Sequence, residues 1–131
     1  MTHSAFRVAA LTSCIVFAAA FGGGVTATAR HTELKKSSPK ANDTLTVAPK
    51  ELQFWFSQKI ELPTSSVRLS GPGGAVVATG ALHGQATADA PVVAAVTGAM
   101  APGAYTIAWV AGSKDGHAVK GTIAFVLKAA H

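Results

Sequence analysis

The feature that most constrains the fold is an alternation of apolar and other side chains over short runs that follow residue 30. Leu52, Phe54 and Phe56 fall on one face of an extended segment, and the runs 105–109 and 123–127 repeat this spacing. Because successive side chains of a strand point to opposite faces, a period of two is typical of strands with one buried face. No helical periodicity of useful length follows residue 30. The pattern predicts an all-β chain.

Glycine and proline separate these runs at regular intervals. Gly71-Pro72-Gly73-Gly74 and Pro102-Gly103 are turn signals. About seven short strands within about 100 residues are typical of an immunoglobulin-like β-sandwich. The length of 131 residues allows one domain with a real core, but not two. The Ala-, Gly- and Thr-rich segment 78–101 is expected to hold a long loop.

Residues 1–29 have the organisation of a secretory signal peptide. A polar start that includes Arg7 precedes the mostly apolar run 8–21, and Ala27-Thr28-Ala29 ends the segment with small residues. The apolar run is shorter than the ~20 residues that a spanning helix needs. We therefore assign residues 1–29 to a cleaved signal peptide and residues 30–131 to one exported domain.

The single cysteine, Cys14, lies within the predicted signal peptide. The segment 11–14 is similar to a lipoprotein cleavage box, but most of the apolar run follows it, which favours ordinary cleavage. The mature chain would then have no disulfide and no thiolate metal site.

The charge pattern argues against a nucleic-acid partner. The formal net charge is +5, but the basic residues are scattered and do not interleave with aromatic residues. The criteria for a nucleic-acid-binding surface are therefore not met. Mild basicity of this kind favours solubility and weak attraction to anionic surfaces.

Three titratable side chains form a candidate metal site. Asp115 and His117 flank Gly116, which leaves the backbone free to aim both side chains at one point. His31 lies close to the predicted new N-terminus, whose amine is a further nitrogen donor. An amine, two imidazoles and a carboxylate make a tetragonal N/O set, which Cu(II) prefers. By spacing alone, Asp-Gly is also a common turn dipeptide beside a solvated histidine, so the pattern leaves both interpretations open.

Two segments carry motifs in a characteristic order. The first segment contains His31-Thr32-Glu33-Leu34, Ser37-Ser38-Pro39, Leu45, Pro49 and Leu52-Gln53-Phe54-Trp55-Phe56-Ser57. The second contains Pro102-Gly103-Ala104-Tyr105, Trp109 and Ser113-Lys114-Asp115-Gly116-His117-Ala118-Val119-Lys120-Gly121. In this order and spacing, the chain resembles the CopC (YobA-like) family of periplasmic copper-resistance proteins.

The resemblance implies a seven-stranded Greek-key β-sandwich in which His31, Asp115 and His117 bind one Cu(II) ion. It also implies a periplasmic protein that buffers or carries copper for resistance and homeostasis. A separate CopD-type inner-membrane importer is then a candidate recipient of the ion. We expect the protein to be a monomer.

The chain departs from the family pattern at several positions. Family members begin with the histidine itself, whereas here the signal peptide predicts Arg30 before His31, and cleavage before either residue stays open. Gln58 stands where many members have a carboxylate, so either Gln58 or the N-terminal amine is left to complete the site. Met100 is the only methionine of the mature chain, which predicts no second site for Cu(I). His83 is then expected to be a plain surface residue.

Two other functions deserve comparison with copper carriage. A histidine-brace copper monooxygenase also combines an N-terminal histidine with a second histidine on a β-sandwich. Asp115 would occupy a coordination position that such an enzyme leaves open for oxygen, and about 100 residues leave little room for a substrate platform. A metal-free assembly sandwich is the other alternative. We expect a binding protein and not an enzyme.

Overall fold

The computed structural model describes residues 31–129, which form two β-sheets of a sandwich. The signal peptide predicted for residues 1–29, Arg30 and the C-terminal His131 lie outside the described residues. Within residues 31–129, no helix is both long and apolar enough to cross a membrane. The all-β sandwich predicted from the alternating pattern is confirmed.

Within residues 31–129, nine strands, numbered in chain order, are shared between the sheets. The four-stranded sheet contains β1 (Leu34–Ser38), β3 (Glu51–Phe56), β7 (Val92–Ala95) and β6 (His83–Gly84), in that spatial order. The five-stranded sheet contains β2 (Asp43–Leu45), β9 (Ala118–Leu127), β8 (Gly103–Gly112), β4 (Glu61–Ser70) and β5 (Val76–Val77), in that spatial order. A short 3₁₀ turn, Pro72–Gly74, joins β4 to β5. The strands pair antiparallel except for β2, which runs parallel to β9.

The core lies between the two sheets and follows the period of two. Alternate side chains are buried in three strands: Leu52, Phe54 and Phe56 of β3, Tyr105, Ile107 and Trp109 of β8, and Ile123, Phe125 and Leu127 of β9. Each such side chain stabilises the fold by about 1.5–3 kcal/mol relative to an exposed position. The ring of Phe56 meets that of Trp109 edge to face, with centroids 5.6 Å apart. The two sheets are therefore joined by aromatic packing near one end of β3.

The longest pairing is the hairpin of β8 and β9. Its register runs without a break from Gly103 opposite Leu127 to Gly112 opposite Ala118. Gly121 lies opposite Trp109, and a Cβ at Gly121 would be 2.6 Å from Cζ2 of that indole ring. The indole occupies the space that a side chain would need. The hairpin therefore presents its loop, residues 113–117, from a rigid pair of strands.

Strand register brings three segments to one end of the sandwich. Leu34, the first residue of β1, pairs with Phe56, the last residue of β3. Glu61, the first residue of β4, pairs with Gly112, the last residue of β8. Residues 31–33, the β3–β4 connection 57–60 and the β8–β9 loop 113–117 consequently share this end.

Candidate metal centre

The β8–β9 loop is a tight turn held by its own backbone. The Gly116 N–H donates to the Ser113 carbonyl at 3.0 Å, and the Ser113 N–H donates to the His117 carbonyl at 2.9 Å. Gly116 has a φ of 85°, in the left-handed region that side chains disfavour. Glycine therefore lets the chain turn between the two candidate ligands.

The turn brings the Asp115 carboxylate and the His117 imidazole into contact. Oδ1 of Asp115 accepts hydrogen bonds from the Ser113 hydroxyl and, at 3.0 Å, from the His117 N–H. Oδ2 of Asp115 lies 3.0 Å from Nδ1 of His117. The Asp115 side chain is 61% exposed and the His117 side chain 84% exposed. The pair is therefore preorganised and open to solvent.

These contacts shift the pKa values of Asp115 and His117 in opposite directions. The hydrogen bond from Ser113, followed by those from His117, holds the pKa of Asp115 well below its usual range. The hydrogen bond with Asp115 raises the pKa of His117 above its ordinary value. At neutral pH, the Asp115 carboxylate is ionised and can act as an anionic ligand for a metal ion. His117 keeps its second proton to a higher pH than a free imidazole does.

The segment that contains His31 is docked on the β3–β4 connection. Thr32 is 3% exposed, and its hydroxyl accepts a hydrogen bond from the Gln58 amide at 2.6 Å. The Glu33 N–H donates to the Ser57 hydroxyl at 2.9 Å, and the Ser57 N–H donates to the Glu33 carbonyl at 2.8 Å. His31, which is itself exposed, accepts at its carbonyl from the Ser57 hydroxyl at 3.4 Å.

The β3–β4 connection also borders the loop that carries the Asp115–His117 pair. Gln58 and Lys59 line one depression together with Ser113, Lys114 and Asp115. The connection therefore has the N-terminal segment on one side and the β8–β9 loop on the other.

Asp115 and His117 are brought together, whereas His31 is not joined to them. Among residues 31–129, no group of three or more His, Cys, Asp or Glu side chains is arranged to hold a metal ion. His31 shares the same end of the sandwich through the Ser57 and Gln58 contacts. A three-residue site requires the N-terminal segment to swing its imidazole towards the pair.

His83 and Met100, which the sequence offered as candidates for a second copper site, are not part of the β8–β9 loop. His83 is exposed on β6, with Nδ1 3.3 Å from the Ala81 carbonyl. Met100 is partly buried and packs against the core.

Gln85, which no sequence pattern singled out, contacts the β3–β4 connection. Gln85 is 2% exposed, and its side-chain oxygen, Oε1, accepts a hydrogen bond from the Ile60 N–H at 2.9 Å. Its amide donates to the Gln58 carbonyl at 3.0 Å. Gln85 is a lone glutamine in the Ala-, Gly- and Thr-rich segment 78–101, and no motif or periodicity there indicates burial.

Comparisons with known sequences agree with the resemblance of the motifs. The family model described as the CopC domain matches residues 34–128. Protein YobA of Escherichia coli (strain K12) is 29% identical over 98 residues, which cover 75% of this chain and 79% of YobA. Protein YobA of Shigella flexneri matches with the same identity and coverage.

Solved structures share the fold over most of the described residues. The crystal structure of CopC from Methylosinus trichosporium OB3b superposes with a TM-score of 0.68 and 27% identity, covering 76% of this chain and 95% of that one. The crystal structure of PcoC, a methionine-rich copper resistance protein from Escherichia coli, superposes with a TM-score of 0.65 and 28% identity. That match covers 75% of this chain and 99% of PcoC.

Proposed function

The chain belongs to the CopC domain family, and from this premise we propose that it is a periplasmic protein that binds one Cu(II) ion through His31, Asp115 and His117. The observation that carries the proposal is the contact of Asp115 and His117 on the exposed β8–β9 loop. The similar protein PcoC is described as a copper resistance protein, which supports copper as the ion.

The separation of the two donors suits a tetragonal ion. With metal–donor bonds of about 2.0 Å, two neighbouring ligands at a right angle lie about 2.8 Å apart. Oδ2 of Asp115 and Nδ1 of His117 are 3.0 Å apart. Cu(II) would replace the Nδ1 proton. Because an ion about 2.0 Å from both atoms lies off the line that joins them, the imidazole would turn to aim its lone pair at the ion.

The His31 imidazole and the free N-terminal amine would supply the remaining nitrogen donors. After export, both would lie at or next to the segment that Thr32 anchors to Gln58. Together with the pair, they complete the N/O set that Cu(II) favours. Closure of the site therefore consists of bringing one short segment onto a preformed pair.

The exposure of the pair supports carriage rather than catalysis. An ion bound by exposed side chains can pass to another protein by exchange of one ligand at a time. The proposed role is to buffer copper and to deliver it to a separate membrane importer of the CopD type.

The test is a titration of Cu(II) into the processed protein, combined with its intact mass. We expect one Cu(II) per chain, and the mass also fixes the N-terminus. His117→Ala and Asp115→Ala should each weaken binding by at least about tenfold, because each removes a ligand. His83→Ala and His131→Ala are matched controls that should bind normally. Loss of binding in His83→Ala with retention in His117→Ala would contradict the assignment.

A further inference from the structure

Gln85 has a conformation that its residue type does not favour. It follows β6 with a φ of 56°, in the left-handed region that glycine adopts without steric cost. Its N–H donates to the Pro91 carbonyl at 3.0 Å and closes the loop between β6 and β7. The strain of a non-glycine residue here calls for a compensating role of the side chain.

Both hydrogen-bonding groups of the Gln85 side chain bond to the β3–β4 connection, which is distant in sequence. Its oxygen accepts from the Ile60 N–H, and its nitrogen donates to the Gln58 carbonyl. Because Gln85 and Ile60 are both buried, the Ile60 N–H would otherwise lack water as a partner. The amide thus bridges the two ends of the segment 58–60.

The β3–β4 connection that Gln85 holds is also the segment that residues 31–33 contact. The Gln58 side chain donates to Thr32, and Ser57 exchanges two hydrogen bonds with Glu33. The same segment lines the depression that Asp115 borders. A change in the position of Gln58 would therefore move residues 31–33 relative to Asp115.

We infer that Gln85 is a positioning residue for the copper site: it fixes the β3–β4 connection and, through Gln58 and Thr32, holds the segment from which His31 would close onto the Asp115–His117 pair. The inference rests on the proposed function for the identity of the ion. It adds a residue that touches neither the ion nor a ligand. Asp115 and His117 do not depend on Gln85, since their turn is closed by its own hydrogen bonds.

The test is a double-mutant cycle on the Cu(II) affinity of the processed protein. Gln85→Met keeps the length of the side chain and removes both hydrogen bonds. It should weaken Cu(II) binding about tenfold in the wild-type background, as loss of a supporting contact commonly does. In a His31→Ala background it should have no further effect, because the residue that it positions is gone. The electron paramagnetic resonance spectrum of Gln85→Met should approach that of His31→Ala, with fewer nitrogen ligands.

A matched control separates positioning from general loss of stability. Gln53→Met removes a glutamine of β3 whose amide donates only to the Glu51 side chain. It should leave Cu(II) affinity and the spectrum unchanged. Equal losses from Gln85→Met with and without His31, or an unchanged affinity, would overturn the inference. If the wild-type protein takes up no Cu(II), the proposed function fails, and that result is seen before any variant is made.

A second measurement needs no copper. Gln85→Glu keeps the acceptor for Ile60 but removes the donor to Gln58. Hydrogen exchange of the Glu33 and Ser57 amides should be faster in this variant, because their mutual bonds depend on the held connection. Exchange along the β8–β9 ladder should be unchanged. Unaltered exchange at Glu33 and Ser57 would also overturn the inference.

Discussion

The two oxygens of the Asp115 carboxylate make different contacts: one closes the turn and the other faces the His117 imidazole. Oδ1 accepts from the backbone of His117, two residues onward, in the manner of an Asx-turn, and from the Ser113 hydroxyl. Oδ2 is left to face the imidazole. Because the first oxygen already fixes the orientation of the group, binding through the second costs little conformational freedom.

The first prediction at this scale concerns the proton that the pair shares. Asp115→Asn should lower the pKa of His117 towards its ordinary value, since the hydrogen bond with Asp115 is the main cause of its rise. The measurement is an NMR titration of the metal-free protein. Asp89→Asn, at an exposed acid of the segment 78–101, is the control and should leave His117 unchanged. A His117 pKa that is the same in both variants would contradict the assigned cause.

The same shifts fix the sign of the pH effect on folding. A raised pKa of His117 contributes stability that is present below the unfolded-state value and is lost as pH rises through the folded-state value. The lowered pKa of Asp115 contributes stability that is present above its unfolded-state value and is lost as pH falls. Because both side chains are exposed, solvent screening keeps these contributions small.

Among the strands, the β8–β9 hairpin depends on one residue without a side chain. Gly121 faces the Trp109 indole, which also packs against Phe56 of the opposite sheet. The missing side chain at Gly121 therefore leaves room for the Trp109 indole, through which the hairpin packs against the opposite sheet.

We accordingly predict that Gly121→Ala destabilises the protein by about 1–3 kcal/mol, because the added methyl group overpacks the contact with the indole. Chemical denaturation followed by tryptophan fluorescence measures the change. Thr122→Ala, at the next and exposed position of β9, should change stability by less than about 1 kcal/mol. Equal midpoints for Gly121→Ala and the wild type would show that the indole moves aside freely.

At one edge of the four-stranded sheet, β1 carries exposed lysines. Lys35 and Lys36 are exposed, and the ammonium of Lys36 lies 4.3 Å from the centroid of the Trp55 ring. The register of β1 with β3 also shifts between Leu34 and Lys36. Charged residues and an irregular register discourage pairing of an edge strand with another chain. This edge is consistent with the expected monomer.

For the whole molecule, the proposed site depends on the start of the mature chain. The pair lies on one sheet and the His31 segment on the other, so the ion would join the two sheets at one end. The free amine exists only after removal of the preceding residues. In the proposed site, removal of the signal peptide and copper binding would therefore be linked, because cleavage would create the amine donor.

We predict that a protein that retains extra residues before Arg30 binds Cu(II) much more weakly than the processed chain, because an internal residue has no α-amine to donate. The affinity of the processed chain should fall steeply between about pH 7 and pH 5, where protons compete for imidazole and amine nitrogens. The raised pKa of His117 acts in the same direction. Cu(II) titrations of both proteins across this range, followed by tryptophan quenching, measure the effect. Equal affinities, or a flat profile down to pH 5, would remove the amine from the site.

The oxidation state of the bound copper gives a further prediction. The protein should not retain Cu(I) against a Cu(I) chelator, since Met100 is the only methionine of the predicted mature chain and packs against the core. A competition titration under reducing conditions measures this. Tight retention of Cu(I) would contradict the single N/O site.

Features that depend on neighbouring residues could be predicted from the amino-acid sequence alone. The period of two in 52–56, 105–109 and 123–127 reports which side chains of a strand face the core, because the alternation is a property of the extended backbone. Asp115 and His117 meet for a similar reason, since they belong to one glycine-containing turn. The family resemblance added the fold, through the order and spacing of motifs along the chain.

Which distant segments meet could not be predicted from the sequence and became visible only in the fold. The docking of Thr32 on Gln58 and the clamp of Gln85 on Gln58 and Ile60 join residues 25 to 27 positions apart. These contacts depend on strand register and on the packing of one sheet against the other, and no local pattern encodes either. A buried glutamine reads like a surface residue in the sequence, because its burial becomes favourable only when the fold supplies partners for its amide.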